Sequence, residues 1–369
     1  MIYHLLSETE MFSEKYGGAI SRWAANVLRS GDETVICPSF DSSWGFSDER
    51  IYCMPNWRHT HPVHPLLYRL PWHLQKAVYL KVFQPLLEKV KPGDILYIHN
   101  APESASTLAT VAERLGVKVV LHMHNSHLTR ASRGQLAALK KLPIVFVSEF
   151  LRKEIHAAFP GHFATTHVVY NGADDAKFQF VQRDTKTTPT VVFTGRLVGY
   201  KGVHILLEAM RLLQKRGVEA KCQIVGRAYF ASDKSTLYTR RLNRLRPSNS
   251  ELVGYKSGSA LARLLQNAHI FCCPSIWNDP FPLAPIEAMA TGLPVVASKT
   301  GGIPEMLAHG GGILVPGNNP LALAGALETL VKDVPQREQL GAAATDAFRN
   351  YFLWSSVRRQ YDSVIGSLS

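Results

Sequence analysis

Two basic residues follow an apolar run in the second half of the chain, at the point where a strand would end. The run Val191–Thr194 leads directly into Gly195 and Arg196, and Lys201 and Gly202 open the next helix-like stretch. Arginine offers a planar fork of donors and lysine a compact charge, and both suit a diphosphate group. The pattern indicates an anion site, although a G-R followed by a K-G also occurs on ordinary surfaces.

Two carboxylates follow a later apolar run, in the segment SIWNDPFPLAPIEAMATGLPVVAS, at Asp279 and Glu287. Glu287 lies in a helix-like stretch of apolar residues, where an unpartnered carboxylate is costly. The vicinal hydroxyls of a sugar could donate hydrogen bonds to this carboxylate. The alternative is that the carboxylate forms a buried ion pair within the protein. The amides of Phe281 and Leu283 would lie at the start of this helix, where anions are favoured, whereas Pro282 has no N–H.

Several common nucleotide and metal motifs are absent from the sequence. No candidate strand is followed by G-x-G-x-x-G, and neither G-x-x-x-x-G-K-[ST] nor D-x-D occurs. These absences disfavour a dehydrogenase, a P-loop enzyme and a metal–diphosphate site. We therefore expect chemistry that uses no metal and no resident cofactor.

The elements that must position these residues alternate between short apolar runs and amphipathic helix-length stretches. After the glycine pair 17–18, one helical face is apolar, and we expect this helix to end at Gly31. The residues of that face are 20, 23, 24, 27 and 28. This alternation predicts an α/β fold with parallel sheets covered by helices. The predicted strands are Ile2–Leu6, Thr34–Cys37, Ile95–His99, Val119–His124, Ile144–Ser148, His167–Tyr170, Val191–Thr194, Cys222–Val225, Glu251–Val253, Ile270–Pro274, Pro294–Ala297 and Ile313–Val315.

The polar stretch QRDTKTTP, near Phe178–Pro189, separates the two series of strands. We expect two Rossmann-like, doubly wound domains that face each other across a cleft, residues 1–180 and 188–345. Residues 346–369 form a helical segment without a strand. The sequence leaves open whether that segment packs back on the first domain.

Length and composition agree with this division, because 369 residues exceed one ordinary domain. The sequence has 46% hydrophobic and 19% charged residues, which excludes a disordered chain. Its five cysteines form no C-x-x-C pair and indicate a reducing compartment. With no spanning apolar stretch and no signal-like N-terminus, we expect a cytoplasmic protein.

The net charge of +12 is concentrated in two regions, residues 57–91 and 196–246. Such patches suit a nucleotide, an anionic membrane or a nucleic acid. The basic segment RRLNRLRP makes a polyanion-binding or nucleic-acid-binding protein the alternative function. The aromatic residues near it that could stack on bases are Tyr229, Phe230 and Tyr238.

Region 57–91 mixes basic residues with tryptophan and leucine, as a membrane-contacting segment does. Its histidines also allow a metal site or a loop that faces an acceptor molecule. These histidines are His59, His61, His64 and His73.

In combination, these motifs resemble the retaining glycosyltransferases of family 4, also called glycosyl transferases group 1, which have the GT-B fold. The second half carries TGRLVGYKG, QIVG, CCPS, DPFPLAPIE, AMATGLPVVAS and GGIPEM. The first half carries YGGAISR, HMHN, VFVSEFLRK and VVYNGAD, so the resemblance covers nearly the whole chain.

The resemblance implies a role for each matching residue. Arg196 and Lys201 would grip the donor diphosphate and stabilise it as the leaving group. Glu287 would bind the ribose hydroxyls. Asp279 stands where the family usually has glutamate, and it would contact the transferred sugar. The other residues that the resemblance places around the donor are Gly17, Gly18, Gly195, Gly226, Phe281 and Leu283.

In the amino half, His124 matches the family's histidine near the anomeric carbon, where it would orient and polarise. His122 and His127 are neighbouring alternatives, and the family's placement at the last strand position selects His124. The implied activity is hexosyl transfer from a nucleotide-diphosphate sugar to an acceptor hydroxyl with retention. UDP-hexose is the expected donor, and envelope polysaccharide or glycolipid synthesis is the expected role. The acceptor would be a saccharide or lipid-linked sugar, with peripheral contact at the inner face of the membrane.

Overall fold

The computed structural model describes residues 1–8, 10–14, 18–28, 31–41, 50–54, 71–228 and 234–368. These residues form two compact α/β units. Unit 1 comprises Met1–Tyr170 together with Arg358–Ser369, and unit 2 comprises Asn171–Val357. The chain thus leaves unit 1 after Tyr170 and returns to it within the last helix.

Unit 1 is built on a parallel seven-stranded sheet with the order β5-β3-β1-β6-β7-β8-β9. The strands β2 and β4 form a separate parallel pair. The strands are β1 Ile2–Leu5, β2 Met11–Phe12, β3 Glu33–Cys37, β4 Ser39–Phe40, β5 Ile51–Cys53, β6 Ile95–His99, β7 Lys118–Met123, β8 Ile144–Phe146 and β9 Thr166–Val168. The α-helices are α1 Ala19–Val27, α2 Trp72–Leu87, α3 Pro102–Leu115, α4 Arg133–Leu139 and α5 Glu149–Ala158.

Unit 2 is built on a parallel six-stranded sheet with the order β12-β11-β10-β13-β14-β15. Its strands are β10 Thr190–Thr194, β11 Lys221–Val225, β12 Ser250–Gly254, β13 Ile270–Cys273, β14 Val295–Ser298 and β15 Gly312–Val315. Its α-helices are α6 Val203–Lys215, α7 Leu237–Leu245, α8 Gly258–Asn267, α9 Leu283–Ala290, α10 Ile303–Met306, α11 Pro320–Lys332 and α12 Val334–Ala347. The final helix, α13 Trp354–Leu368, begins in unit 2 and continues in unit 1.

The predicted fold class is confirmed, and each strand predicted from the sequence is present. Apolar strand residues are buried because helices cover both faces of a parallel sheet. The strands β2 and β4 were not predicted, since two residues are too few to show a pattern, and β5 was not predicted either. The first helix ends at Val27, so Gly31 lies beyond its end and does not close it.

The core of unit 2 explains why α6 forms where the sequence predicts it. Leu206, Leu207, Met210 and Leu213 are fully buried among residues of β10, β11 and α11. Each such side chain stabilises the fold by about 1.5–3 kcal/mol relative to exposure. Gly217 follows this helix with a φ of +68°, a left-handed conformation that ends it.

Arg183 holds together three separate segments of unit 2 through main-chain carbonyls. Its guanidinium donates to the carbonyl oxygens of Ala268, Thr291 and Gly292. Burial lowers the pKa of Arg183 to about 10, so the group stays charged at neutral pH. The polar stretch that separates the two series of strands therefore carries a residue on which the packing of unit 2 depends.

Replacing Arg183 by methionine should lower the free energy of unfolding of unit 2 by about 2–4 kcal/mol, because several buried carbonyls lose their donor. Arg216→Met is the matched control, since Arg216 forms an exposed ion pair with Glu328. That pair is worth at most about 1 kcal/mol. Thermal and urea unfolding followed by circular dichroism measure both; equal losses would contradict a clamping role for Arg183.

Candidate functional site

Lys201 and Asp279 form an ion pair at the carboxyl edge of the unit 2 sheet. Lys201 ends a short 3-10 turn, Gly199–Lys201, that follows β10, and Asp279 lies in the loop after β13. The ammonium of Lys201 donates to Oδ2 of Asp279. Because β10 and β13 are neighbouring parallel strands, their following loops meet at one edge. The carbonyl of Asp279 also accepts from the amide of Gly302, 2.9 Å away.

A close main-chain approach supports this ion pair. Gly202 adopts a φ of +72°, and a methyl group there would overlap the carbonyl oxygen of Pro274. Two residues away, the amide of Ile276 donates to the carbonyl of Tyr200 at 3.0 Å. Only glycine combines the left-handed conformation with this contact. The loops that carry Lys201 and Asp279 are therefore fixed against each other.

Gly195 and Gly226 make a second close approach, between the ends of β10 and β11. Gly226 has a φ of +152°, and a methyl group there would overlap the carbonyl oxygen of Gly195. The amide of Gly195 donates to Val225 at 3.0 Å, and that of Gly226 donates to Gly254 at 2.9 Å. The strand ends thus carry bare backbone beside Arg196, where a ligand can approach closely.

Arg196 is oriented by aromatic residues that the sequence analysis did not single out. Its guanidinium donates to the hydroxyl of Tyr200 and lies 5.5 Å from the centroid of that ring. The ring of Tyr200 in turn lies 5.5 Å from that of Trp277. Trp277 follows β13 and is 40% exposed. Aromatic residues in the segments that follow two neighbouring strands were the signal that could have identified them.

Glu287 is buried at 7% exposure in α9, a helix whose other inner residues are apolar. The helix Leu283–Ala290 begins after Pro282, and no side chain caps its first turn. The carbonyl of Phe281, just before it, accepts from Nδ2 of Asn171 at 3.2 Å. The placement of Phe281 and Leu283 at the helix start is as expected; the roles of these residues toward a donor stay predictions.

His124 follows the last residue of β7 in unit 1. Its amide donates to Oδ1 of Asn100 at 3.1 Å, and Asn100 itself adopts a φ of +54° after β6. Its ring nitrogen Nε2 lies 3.3 Å from Nδ1 of His99. Of the two alternatives, His122 is fully buried inside the strand and His127 is exposed in the next turn. Asn100 and His99 were not predicted from the sequence.

Four histidines and three other aromatic residues form one buried cluster in unit 1. Burial lowers the pKa of His4 to about 4 and that of His124 to about 3. It also lowers the pKa of His99 and His122 well below the usual value, so all four rings are neutral at pH 7. The cluster consists of His4, His99, His122, His124, Trp23, Tyr97 and Tyr361.

Three of these rings are also the residues that could hold a metal ion. His99, His122 and His124 offer nitrogens that lie within 4.8 Å of one another. Both nitrogens of His99 are already hydrogen-bonded to neighbouring rings, those of His4 and His124. Both nitrogens of His99 thus have partners, whereas Nε2 of His122 and Nδ1 of His124 have no hydrogen-bond partner among the described residues. The predicted alternative of a metal site at the histidines of residues 59–64 lies outside the described residues.

The predicted glycine loop of unit 1 is described only in part, because Gly17 lies outside the described residues. The amide of Gly18 donates to Oε1 of Glu10 at 2.7 Å, and so does that of Ser21 at 3.1 Å. Burial raises the pKa of Glu10, and these two hydrogen bonds oppose that rise. A carboxylate that the sequence analysis missed thus occupies the start of α1, where an anion is favoured.

A cavity of about 420 Å³ lies elsewhere on unit 2. Its walls include Phe180, Arg183, His269 and Arg337. Both guanidinium groups donate to main-chain carbonyls, and no residue predicted to bind a donor lines this cavity. We therefore place the candidate site at the carboxyl edge of the sheet.

Two families of known proteins match this chain. Residues 20–177 match Glycosyltransferase Family 4, and residues 174–347 match Glycosyl transferases group 1. The spore coat protein SA of Bacillus subtilis is 25% identical over 315 residues, covering 79% of this chain and 83% of that protein. The D-inositol 3-phosphate glycosyltransferase of Corynebacterium diphtheriae is 32% identical over 191 residues, covering 48% of this chain and 42% of the relative.

The fold is shared with a solved structure over the full length. The HepE protein of Anabaena, in complex with UDP-glucose, superposes with a TM-score of 0.75 at 19% identity and covers 100% of both chains. With both family matches and two Rossmann-like units, the chain belongs to the family 4 glycosyltransferases, the glycosyl transferases group 1, and is a glycosyltransferase with the GT-B fold.

Proposed function

We propose that the protein transfers a hexose from a UDP-hexose to an acceptor hydroxyl and retains the anomeric configuration. The observation that carries this proposal is the Lys201–Asp279 ion pair at the strand edge that also carries Arg196. Two cations at one strand edge suit a diphosphate, whose charge grows as the sugar leaves. A UDP-hexose donor is favoured by the UDP-glucose complex of HepE.

Lys201 acts in the step that depends most on charge, which is the departure of the diphosphate from the sugar. Asp279 neutralises the ammonium of Lys201 and keeps it at the sheet edge. An arriving diphosphate adds a stronger anion, so Lys201 would bridge the phosphate and Asp279. Asp279 would then orient Lys201 as well as contact the transferred sugar.

The leaving diphosphate and the acceptor complete the proposed reaction. The acceptor hydroxyl attacks from the face of the leaving group, and the diphosphate takes its proton. Glu287, which is buried in α9, binds the vicinal hydroxyls of the ribose through its carboxylate. His124 orients and polarises the reacting sugar. The proposed chemistry uses no metal ion.

The alternative of a polyanion-binding protein is not favoured by the second basic region. Its run RRLNRLRP lies at the end of α7 and beyond it, where Arg244 is exposed. Tyr238 is half-buried, and its hydroxyl is hydrogen-bonded to His204 at 3.0 Å. That ring is engaged within unit 2, and Tyr229 and Phe230 lie outside the described residues.

A panel of nucleotide sugars tests the proposed function directly. UDP-hexoses should raise the melting temperature by more than GDP, ADP or dTDP sugars, because a ligand that binds only the folded state stabilises it. Mass spectrometry of product and NMR of its anomeric proton then identify the sugar and its configuration. No stabilisation by any nucleotide sugar, or an inverted product, would contradict the proposal.

Arg196→Ala and Lys201→Ala should each lower kcat by about 100- to 1,000-fold, because each removes about 2.7–4 kcal/mol of stabilisation from the leaving diphosphate. Arg244→Ala is the matched control, since it removes an exposed cation of the same unit. The double variant Lys201→Ala with Asp279→Asn avoids an unpaired buried carboxylate and should be equally slow. Near wild-type turnover at saturating donor in either alanine variant would contradict the assignment.

We also propose that the protein works in envelope polysaccharide or glycolipid synthesis, at the cytoplasmic face of a membrane. Within the described ranges, no helix combines the length and apolar character that crossing a bilayer needs. Helix α2 exposes Leu74 and Val78 one turn apart, at 45% and 36%, next to the exposed Lys81. Such a face suits shallow, reversible binding to anionic lipids. Trp72 is half-buried and packs on Gly134, so it supports the helix instead.

Reversing the charges of Lys76 and Lys81 to glutamate should release the protein from vesicles that contain acidic lipid. Each lysine contributes about 1 kcal/mol near an anionic surface, so partitioning should fall at least about 30-fold. Lys140→Glu with Lys141→Glu makes the same charge change at another exposed place in unit 1. Sedimentation with vesicles at low salt measures both; failure of the wild type to sediment would show that α2 is an ordinary solvated face.

A further inference from the structure

We propose that a buried chain of hydrogen bonds holds the proton of His124 on Nε2, leaving Nδ1 to accept a hydrogen bond from a sugar hydroxyl. This inference rests on the proposed function, in which His124 contacts the reacting sugar. We call this series of residues the histidine chain. In order, it consists of Glu33, Tyr361, His4, His99 and His124.

The far end of the histidine chain is a buried carboxylate that can only accept. Glu33 is 3% exposed and pairs with Arg358 through both oxygens, at 3.0 Å each. In this two-pronged contact, both oxygens of the carboxylate accept from the guanidinium. The hydroxyl of Tyr361 lies 3.4 Å from Oε1 of Glu33. Because an ionised carboxylate has no proton to give, the hydroxyl must donate to it in this contact.

The donation from Tyr361 to Glu33 determines which atom donates in each of the following hydrogen bonds. The oxygen of Tyr361 lies 3.2 Å from Nε2 of His4 and, having given its proton to Glu33, accepts from that nitrogen. A neutral imidazole carries one proton, so Nδ1 of His4 is bare and accepts from Nε2 of His99 at 3.2 Å. By the same reasoning, Nδ1 of His99 accepts from Nε2 of His124 at 3.3 Å.

The near end of the chain is therefore an unprotonated nitrogen. Nδ1 of His124 is a buried atom with no hydrogen-bond partner among the described residues. If the chain ran in the opposite direction, this atom would carry a proton and would donate. Glu33 thus decides whether His124 accepts from a sugar hydroxyl or donates to a sugar oxygen. Glu33, Tyr361, His4 and His99 act as positioning residues, because none of them is proposed to touch the sugar.

Two surroundings keep this direction fixed. Trp23 packs against the chain, with its ring centroid 5.1 Å from His99 and 6.2 Å from His4, and this excludes water that would offer other partners. The rings of His4 and His99 are also fully buried, so solvent does not reach them. Neutral rings in a dry cluster have only their neighbours as partners.

Replacing Tyr361 by phenylalanine breaks the histidine chain while it keeps the buried ring. The nitrogen-15 NMR spectrum of histidine-labelled protein should show Nδ1 of His124 as unprotonated in the wild type. In Tyr361→Phe the two tautomers of His124 should mix. We expect kcat to fall about tenfold with little change in donor KM, as when a functional histidine loses an outer hydrogen-bond partner.

Tyr97→Phe is the matched control, because Tyr97 is equally buried in the cluster but lies outside the chain. Its hydroxyl contacts Nδ1 of His122 at 3.3 Å. This variant should leave the tautomer of His124 and kcat unchanged. A second control, Asp362→Asn, removes the other ion pair of Arg358 and leaves the pair with Glu33 in place.

The NMR result separates this inference from the proposed function. If Tyr361→Phe leaves the tautomer of His124 unchanged in an active enzyme, the inference is wrong and the proposed function stands. If the tautomer shifts in a protein that transfers no sugar, the chain is real and the proposed function fails. One equivalent of tightly bound zinc in the purified protein would also overturn the inference, because a metal on His99, His122 and His124 would fix their protons instead.

Discussion

The contact between Gly202 and the carbonyl of Pro274 is the constraint on which the candidate site of unit 2 depends. It fixes the turn after β10 against the loop after β13, and the ion pair between Lys201 and Asp279 spans these two loops. A larger residue at 202 would separate the loops and release the lysine. Backbone geometry, and not the side chains alone, therefore determines where the positive charge lies.

In unit 1, the main constraint is that polar histidine rings are buried among apolar residues. The central strands β1, β6 and β7 carry histidines whose rings would each be costly to bury alone. Hydrogen bonds lower this cost, because His4 is bonded to His99 and to Tyr361 of the last helix, and His122 is bonded to Tyr97. Tyr361, which is remote from His4 in sequence, thus belongs to the same structural unit as His4.

Much of the fold could be predicted because parallel strands leave a local signal. Runs such as Val191–Thr194 are apolar throughout, and they end where the polar residues begin. The placement of Arg196 and Lys201 after a strand, and of Glu287 in an apolar helix, could be predicted for the same reason. The short strands β2 and β4 leave no such signal.

The histidine chain could not be predicted, because it depends on strand order. His4 and His99 lie on neighbouring strands only because β1 pairs with β6, and Tyr361 reaches His4 across most of the sequence. The Lys201–Asp279 ion pair was missed for a related reason, since each residue was assigned a role separately. The sequence placed both at strand ends but did not show that they contact each other.

The most direct test of this account is a crystal structure of the protein with bound UDP. We predict that diphosphate oxygens lie within hydrogen-bonding distance of both Arg196 and Lys201, and that the ribose hydroxyls contact the carboxylate of Glu287. A nucleotide that is well ordered elsewhere, with Lys201 still paired only to Asp279, would contradict the account.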